Sequence, residues 1–280
     1  MKNIQEKYDI IIQGGQSNAE GSGIGPVSQD YVPTPEILYL NVKKSVEEAK
    51  DGLLIEYADE PFAVEEAKER ENNKGDKVGD FALTFAEDYV KNGRLAQDRK
   101  LMIIRGAIGG TGFFKHHWGL QDKLYLKMLE MTDYALALNP ENRVVAFLWH
   151  QGEHDAFEGN APENYYNQMM ALVNSVRARY GEMPFFAGDF VNEWKTKNIE
   201  ICEPIVQVIR KVVEDCGNAG FVETSDLLSN NQKTQNNDDI HFCRESLHIL
   251  GHRYYDAFEK IHNSYVKETR IAFGWENAND

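Results

Sequence analysis

The architecture of this chain hinges on the stretch YDIIIQGGQSN, positions 8–18. Its opening run, 8–13, is β-rich and nearly apolar, with three consecutive isoleucines; it is too short for a helix and closed by Gly14-Gly15. An apolar run without alternation suits a strand buried on both faces, as in a parallel sheet. The two glycines permit a sharp turn, so the polar residues that follow stand at the carboxyl end of that strand. The same grammar recurs downstream. LMIIR at 101–105 runs into GAIGGTG, and VVAFLW at 144–149 runs into HQGEHD. Positions 184–190 and 220–224 supply two further β-rich runs.

Helical patterns lie between these strands. Positions 80–91 carry Phe81, Phe85 and Tyr89 on one face, with Gly93 beyond as a stop. Positions 121–138 repeat Leu124, Met128, Met131 and Ala135. Positions 162–180 start near Pro162 and stop before Gly181, and 203–214 and 244–262 complete the set. Strands alternating with helices predict an α/β fold, a parallel sheet covered by helices on both faces. Sites in such sheets form at the carboxyl ends of the strands. Positions 37–41 and 53–57 read as a small hairpin or as edge strands. The charged stretch 60–80 reads as a solvated loop insertion, or as a rim to the site.

The chain has 280 residues, 42% of them hydrophobic, which excludes global disorder and fits a single domain over 1–280. Its formal charge of −15 argues against nucleic acid and anionic membrane as partners. No stretch approaches the ~20 apolar residues of a membrane span, and the start, MKNIQEKYDIII, reads as a first strand rather than a signal peptide. The expectation is a cytoplasmic protein. Cys202, Cys216 and Cys243 are too few and too odd in number for a disulfide framework, and Cys243 reads as a small buried thiol.

Four segments carry chemistry. A serine after a strand and a glycine turn, Ser17, can present its hydroxyl at the sheet edge. An activated serine needs a base, and the base needs an orienting carboxylate. Asp238-Asp239-Ile240-His241 offers both from one loop ahead of a helix. GAIGGTG at 106–112 offers backbone amides that can approach a substrate, and Gln151 offers a side-chain amide. Donors of that kind stabilise an oxyanion, and losing one costs on the order of 10²–10³ in rate.

In this order, GQSN with a following glycine, GGT ahead of a tryptophan, WHQGExD, and DxxHF before a helix with LGHRY, the chain resembles the sialate O-acetylesterase-like carbohydrate esterases of the SGNH hydrolase group. The resemblance spans about 9–258 and includes the helix lead-in VGDFALTFA. It implies a flavodoxin-like three-layer α/β/α sandwich and removal of O-acetyl groups from sugars, without a cofactor. It implies Ser17 as nucleophile, His241 as base and Asp238 as orienting acid. Gly110 and Gln151 would join the Ser17 amide in the oxyanion hole; the wider group usually carries Asn where Gln151 stands.

Rival readings attach to the same residues. His150-Gln-Gly-Glu153-His154 satisfies H-x-x-E-H, a zinc-hydrolase pattern. That chemistry needs both histidines on one helical face, whereas a β-like run leads in and Gly152 would cost ~1 kcal/mol in a helix. GAIGGTG misses the spacing of a nucleotide loop, with no Lys-Ser/Thr pair after it. A catalytically dead binding protein of the same fold is a third reading, opposed by the complete Ser17, Asp238 and His241 set. Asp239 competes with Asp238 by one residue of register. Gln16, Trp118 and Glu153 are candidate substrate contacts. Trp118 equally suits packing of its loop, and Glu153 and Asp155 suit loop-shaping acceptors. His116 and His117 suit either the pocket or the surface, and His248 and His252 suit packing or exposure. The expected substrate is an acetylated oligosaccharide or sugar, with a general short-chain carboxylesterase as the alternative and homo-oligomerisation left open.

Overall fold

The computed structural model describes residues 6–44 and 57–272. In chain order the elements are β1 (Lys7–Gly15), α1 (Ser17–Glu20), β2 (Ile37–Lys44), β3 (Tyr57–Glu66), β4 (Arg70–Glu71), β5 (Lys77–Val78), α2 (Phe81–Lys91), β6 (Arg99–Arg105) and α3 (Lys123–Ala137). There follow β7 (Arg143–His150), α4 (Glu153–Glu158), α5 (Pro162–Tyr180), β8 (Phe185–Gly188), α6 (Asn192–Lys197), α7 (Ile199–Cys216), β9 (Ala219–Val222), α8 (Asn230–Thr234) and α9 (Arg244–Ala272). Seven strands form one sheet in the order β3-β2-β6-β1-β7-β8-β9. All neighbours are parallel except β3, which runs antiparallel to β2 at the edge.

Alternate residues of the central strands feed opposite faces, as the two-residue strand period demands. On one face Ile10 of β1 and Met102 and Ile104 of β6 pack with Met131 and Ala135 of α3. On the other, Ile11, Leu101 and Ile103 join the core that holds Phe81 and Phe85 of α2 and Leu247, Leu250 and Tyr254 of α9. With α5 beside α3 and α7 packed on α5, the molecule is a three-layer α/β/α sandwich. Among the described residues no helix is long and apolar enough to cross a membrane.

The predicted elements differ from the observed ones in instructive places. Helix α7 begins four residues before the expected start, because an unbroken buried face of Cys202, Ile205, Val206 and Ile209 outweighs the penalty of Pro204 inside it. The charged stretch 60–80 is not one solvated loop. It holds the end of β3 and the β4–β5 hairpin, and Ala67, Val78 and Asp80 are buried. Glu69 there takes charge-assisted bonds from Arg244 and His248 of α9. Of the expected strand at 53–57, positions 53–56 lie outside the described residues. The segment after Trp149 is a strand end only to His150; α4 begins at Glu153.

Candidate active site

Three parallel strands, β1, β6 and β7, deliver their carboxyl ends to one edge. Gly15 ends β1 at φ 127°, and a Cβ there would stand 2.2 Å from the His150 carbonyl oxygen. Only glycine fits so close a strand crossing at positive φ. The backbone then knits the three loops: Gln16 N–H donates to His150 O (3.0 Å) and Ile108 N–H to Gly15 O (3.1 Å). Ser17 opens α1, whose N-cap Gln16 makes no side-chain cap bond.

The loop ahead of α9 meets it. Ser17 Oγ lies 2.9 Å from His241 Nε2, and His241 Nδ1 lies 2.8 and 3.0 Å from the two Asp238 oxygens. A carboxylate only accepts, so Nδ1 carries the proton and Nε2 is left bare to accept from the serine hydroxyl. Asn230 Nδ2 donates to Asp238 Oδ2 at 2.9 Å. Burial by itself would push the Asp238 carboxyl up. The bond and charge of His241, with the Asn230 bond, outweigh it and hold the group below its ordinary range. Asp239 instead pairs with Lys197 at 2.8 Å, away from the imidazole.

Asn18 is a residue that the sequence reading passed over. Fully buried, it donates to Glu153 Oε1 (2.8 Å) and Ile240 O (3.1 Å) and accepts from Phe242 N–H (3.0 Å). One side chain thus grips both neighbours of His241. Glu153 behind it is fully buried, and burial pushes its carboxyl up. His150, also fully buried, is held down to about 3 by desolvation. Its Nδ1 lies 3.0 Å from Tyr254 Oη, which itself donates to Trp149 O, so Nδ1 donates and Nε2 is the acceptor. That Nε2 stands 4.0 Å from Glu153 Oε1. The signal that could have found Asn18 is its place beside the serine, a polar residue in an otherwise tight turn.

The 106–112 turn lies against the serine: a Cβ on Gly109 would be 3.5 Å from Ser17 Cβ. Gly109 N–H donates to Glu20 Oε2 at 2.7 Å, and Gly110 beside it is exposed, at φ 69°. Gln151 reaches the same edge but is 1% exposed. Its Nε2 faces Asp155 Oδ2 (2.6 Å), Gln16 Oε1 and Thr111 O (both 3.2 Å), and Tyr165 Oη donates to its Oε1.

Three candidate substrate contacts need correction. Trp118 is fully buried, donating Nε1–H to Thr111 Oγ1 and packing edge-on against Trp149, so it shapes the loop and offers no ring to a sugar. Gln16 is 3% exposed, its Oε1 accepting from Gly152 N–H, His154 N–H and the Gln151 amide. Glu153 faces Asn18 rather than the cleft. Asp155 spends its carboxylate on the Phe113 and Phe114 amides, Gln151 and Asn160. His116 is exposed at positive φ, while His117 accepts from Gly112 N–H beside the His154 ring. His248 and His252 pair with Glu69 and Asp88. His150 ends β7 and His154 lies on α4, so the two do not share a helical face. Among the described residues no group of three His, Cys, Asp or Glu is placed to hold a metal ion.

Comparison with known proteins bears on the fold and the family. The crystal structure of NanS superposes with a TM-score of 0.72 over 93% of this chain and 99% of that one, at 18% identity. A solved protein from Arabidopsis thaliana gives 0.65 over 90% and 98%, at 19% identity. Likenesses at such identity establish the fold. A curated relative from Escherichia coli (strain K12), named "Probable 9-O-acetyl-N-acetylneuraminic acid deacetylase", is 28% identical over 87 residues, which is 28% of this chain and 27% of the relative. Residues 7–260 match the family described as carbohydrate esterase, sialic acid-specific acetylesterase. With that match across nearly all of the chain, the protein belongs to this family of carbohydrate esterases.

Proposed function

We propose that the chain removes O-acetyl groups from a carbohydrate through a serine-bound acetyl intermediate. The observation that carries this reading is the relay from Ser17 Oγ through the two ring nitrogens of His241 to Asp238, at 2.9 and 2.8 Å. His241 takes the hydroxyl proton as Ser17 Oγ bonds to the acetyl carbonyl carbon. Asp238 fixes the tautomer and stabilises the imidazolium. The oxyanion meets the backbone N–H groups of Ser17 and Gly110. Gln151 adds a third donor by exchanging one of its long 3.2 Å bonds. Collapse expels the sugar oxygen, which takes the proton from His241. Water, deprotonated by the same histidine, then attacks the acetyl-serine carbonyl; the bond to Ser17 Oγ breaks, Oγ takes the proton back from His241, and acetate is released. The family match and the name of the Escherichia coli relative favour an O-acetylated sugar over simple alkyl esters.

The test is acetate release from a panel of O-acetylated oligosaccharides and acetylated sialic acids, with 4-nitrophenyl acetate alongside, for wild type and Ser17→Ala. The expected result is turnover of at least one sugar ester and a loss of at least ~10³-fold in Ser17→Ala. Equal rates in both proteins would remove Ser17 from the mechanism. Turnover of 4-nitrophenyl acetate alone would replace the sugar esterase by a general short-chain esterase.

A further inference from the structure

The acid of the relay is held by the short helix α8, which takes no part in the chemistry itself. Ser229 caps this helix: its Oγ accepts from Gln232 N–H, and the Gln232 side chain accepts from Ser229 N–H. The S-x-x-Q spacing of that reciprocal cap fixes where the next two residues fall. Backbone amides in a first helical turn have no partner inside the helix. These two turn to the loop ahead of α9. Asn230 N–H donates to His241 O at 2.8 Å, and Asn231 N–H donates to Asp238 O at 2.7 Å.

The Asn230 side chain is fully buried. Its Nδ2 donates to Asp238 Oδ2 and to Ser22 O, both at 2.9 Å, and its Oδ1 accepts from Ile24 N–H at 2.8 Å. Two acceptors on one side and a donor on the other leave the amide a single orientation. Ser22 in turn donates its hydroxyl to Ser17 O at 3.0 Å. One amide thus joins the acid to the chain that leaves the nucleophile, while the backbone of the same residue holds the carbonyl of the base. The Asp238 side chain is 28% exposed, so water competes for its oxygens and can turn the carboxylate away from the imidazole. A fixed donor on Oδ2 opposes that rotation.

We propose that Asn230 is a positioning residue for the deacetylation, keeping the Asp238 carboxylate turned toward His241 Nδ1. The assignment rests on Ser17, His241 and Asp238 being the catalytic relay. Asn230 meets no reacting atom; it acts through Asp238. Its effect therefore exists only while Asp238 is present, whereas an amide that merely braced the fold would matter equally without it.

A double-mutant cycle reads that difference. kcat and KM are measured for wild type, Asn230→Ala, Asp238→Asn and the double variant, each at a temperature where circular dichroism shows it folded. The substrate is 4-nitrophenyl acetate, or the best sugar ester of the panel above should that ester be inert. Asn230→Ala is expected to lower kcat by ~10–10²-fold with KM nearly unchanged. In the Asp238→Asn background the same substitution is expected to cost less than about twofold. Asn230→Asp keeps the side-chain shape and the acceptor for Ile24 N–H, and carries the test should Asn230→Ala not fold. Its carboxylate meets Asp238 at hydrogen-bond distance, where two such groups cannot both ionise, so kcat falls again and the fall again vanishes in Asp238→Asn. An Asp238→Asn variant as active as wild type removes Asp238 from the relay and this assignment with it. A crippled Asp238→Asn variant beside Asn230 variants of wild-type kcat leaves the relay standing and overturns the assignment alone. So does a loss of equal size with and without Asp238, which would make Asn230 a brace of the fold.

Discussion

Asn18 and Glu153 form a buried pair beneath the contact of Ser17 with His241. The amide of Asn18 holds Ile240 O and Phe242 N–H, so the imidazole between them has little freedom to drift from Ser17. A misplacement of about 1 Å can cost on the order of 10² in rate. Asn18→Ala should therefore lower kcat by ~10–10²-fold with little change in KM, measured by steady-state acetate release. A KM effect alone would reassign Asn18 to substrate binding. Glu153 behaves differently. Burial raises its carboxyl, so the folded protein keeps that proton to higher pH than the unfolded chain does. Stability then declines as pH rises from the ordinary carboxylate range through the raised value. Glu153→Gln keeps an acceptor for Asn18 and removes that decline. Thermal unfolding across the window should flatten in the variant, with activity retained. Loss of activity to the level of Asn18→Ala would show that the ionised acid is needed.

The packing of elements explains a glycine that no catalytic argument touches. Gly251 sits where α9 crosses α2, and a Cβ there would lie 1.9 Å from Thr84 Oγ1 and 2.1 Å from Phe81 O. Thr84 Oγ1 also donates across the crossing to His248 O at 2.9 Å. Gly251→Ala forces the helices apart and should cost ~1–3 kcal/mol in urea denaturation, toward the upper end because backbone is the obstacle. A change below ~0.5 kcal/mol would mean that the crossing relaxes freely. This contact was invisible in the sequence, although the elements that make it were not. The apolar runs of β1, β6 and β7 and the Phe81, Phe85, Tyr89 stripe carry local signals strong enough to read. The approach of LGHRY to α2 depends on where two distant helices cross. The same limit hid the burial of Trp118 and the closure of Gln151 by Asp155 and Tyr165: composition names a donor, but only packing shows whether its hydrogens are spent. The Ser17, His241 and Asp238 set was legible because each stands beside a turn marker or in a spacing of three. Asn18, one residue from Ser17, was not, because its partners come from positions 153, 240 and 242.

At the scale of the whole molecule, the parallel sheet separates what holds the fold from what the site does. Asp9 lies near the amino end of β1 and Ser17 just past its carboxyl end. Asp9 is fully buried, with Arg99 Nε and Arg143 Nε each 2.7 Å from Oδ1 and Tyr89 Oη 3.0 Å from Oδ2. Arg99 is 9% exposed, so removing the carboxylate strands a buried guanidinium and a buried phenol. At ~3.3 Å per residue, the strand between Asp9 and Gly15 spans about 20 Å. That is twice the ~8–10 Å over which exposed charges interact at physiological salt. Asp9→Ala should therefore lower unfolding free energy by ~3–5 kcal/mol while leaving kcat/KM of the folded enzyme within about twofold. Guanidinium denaturation and acetate release on the same preparation, at a temperature where the variant is folded, measure both. A fall in kcat/KM matching the loss of stability would mean that strain at the far edge of β1 reaches Ser17 through the strand itself, and that the two ends of the sheet do not act independently.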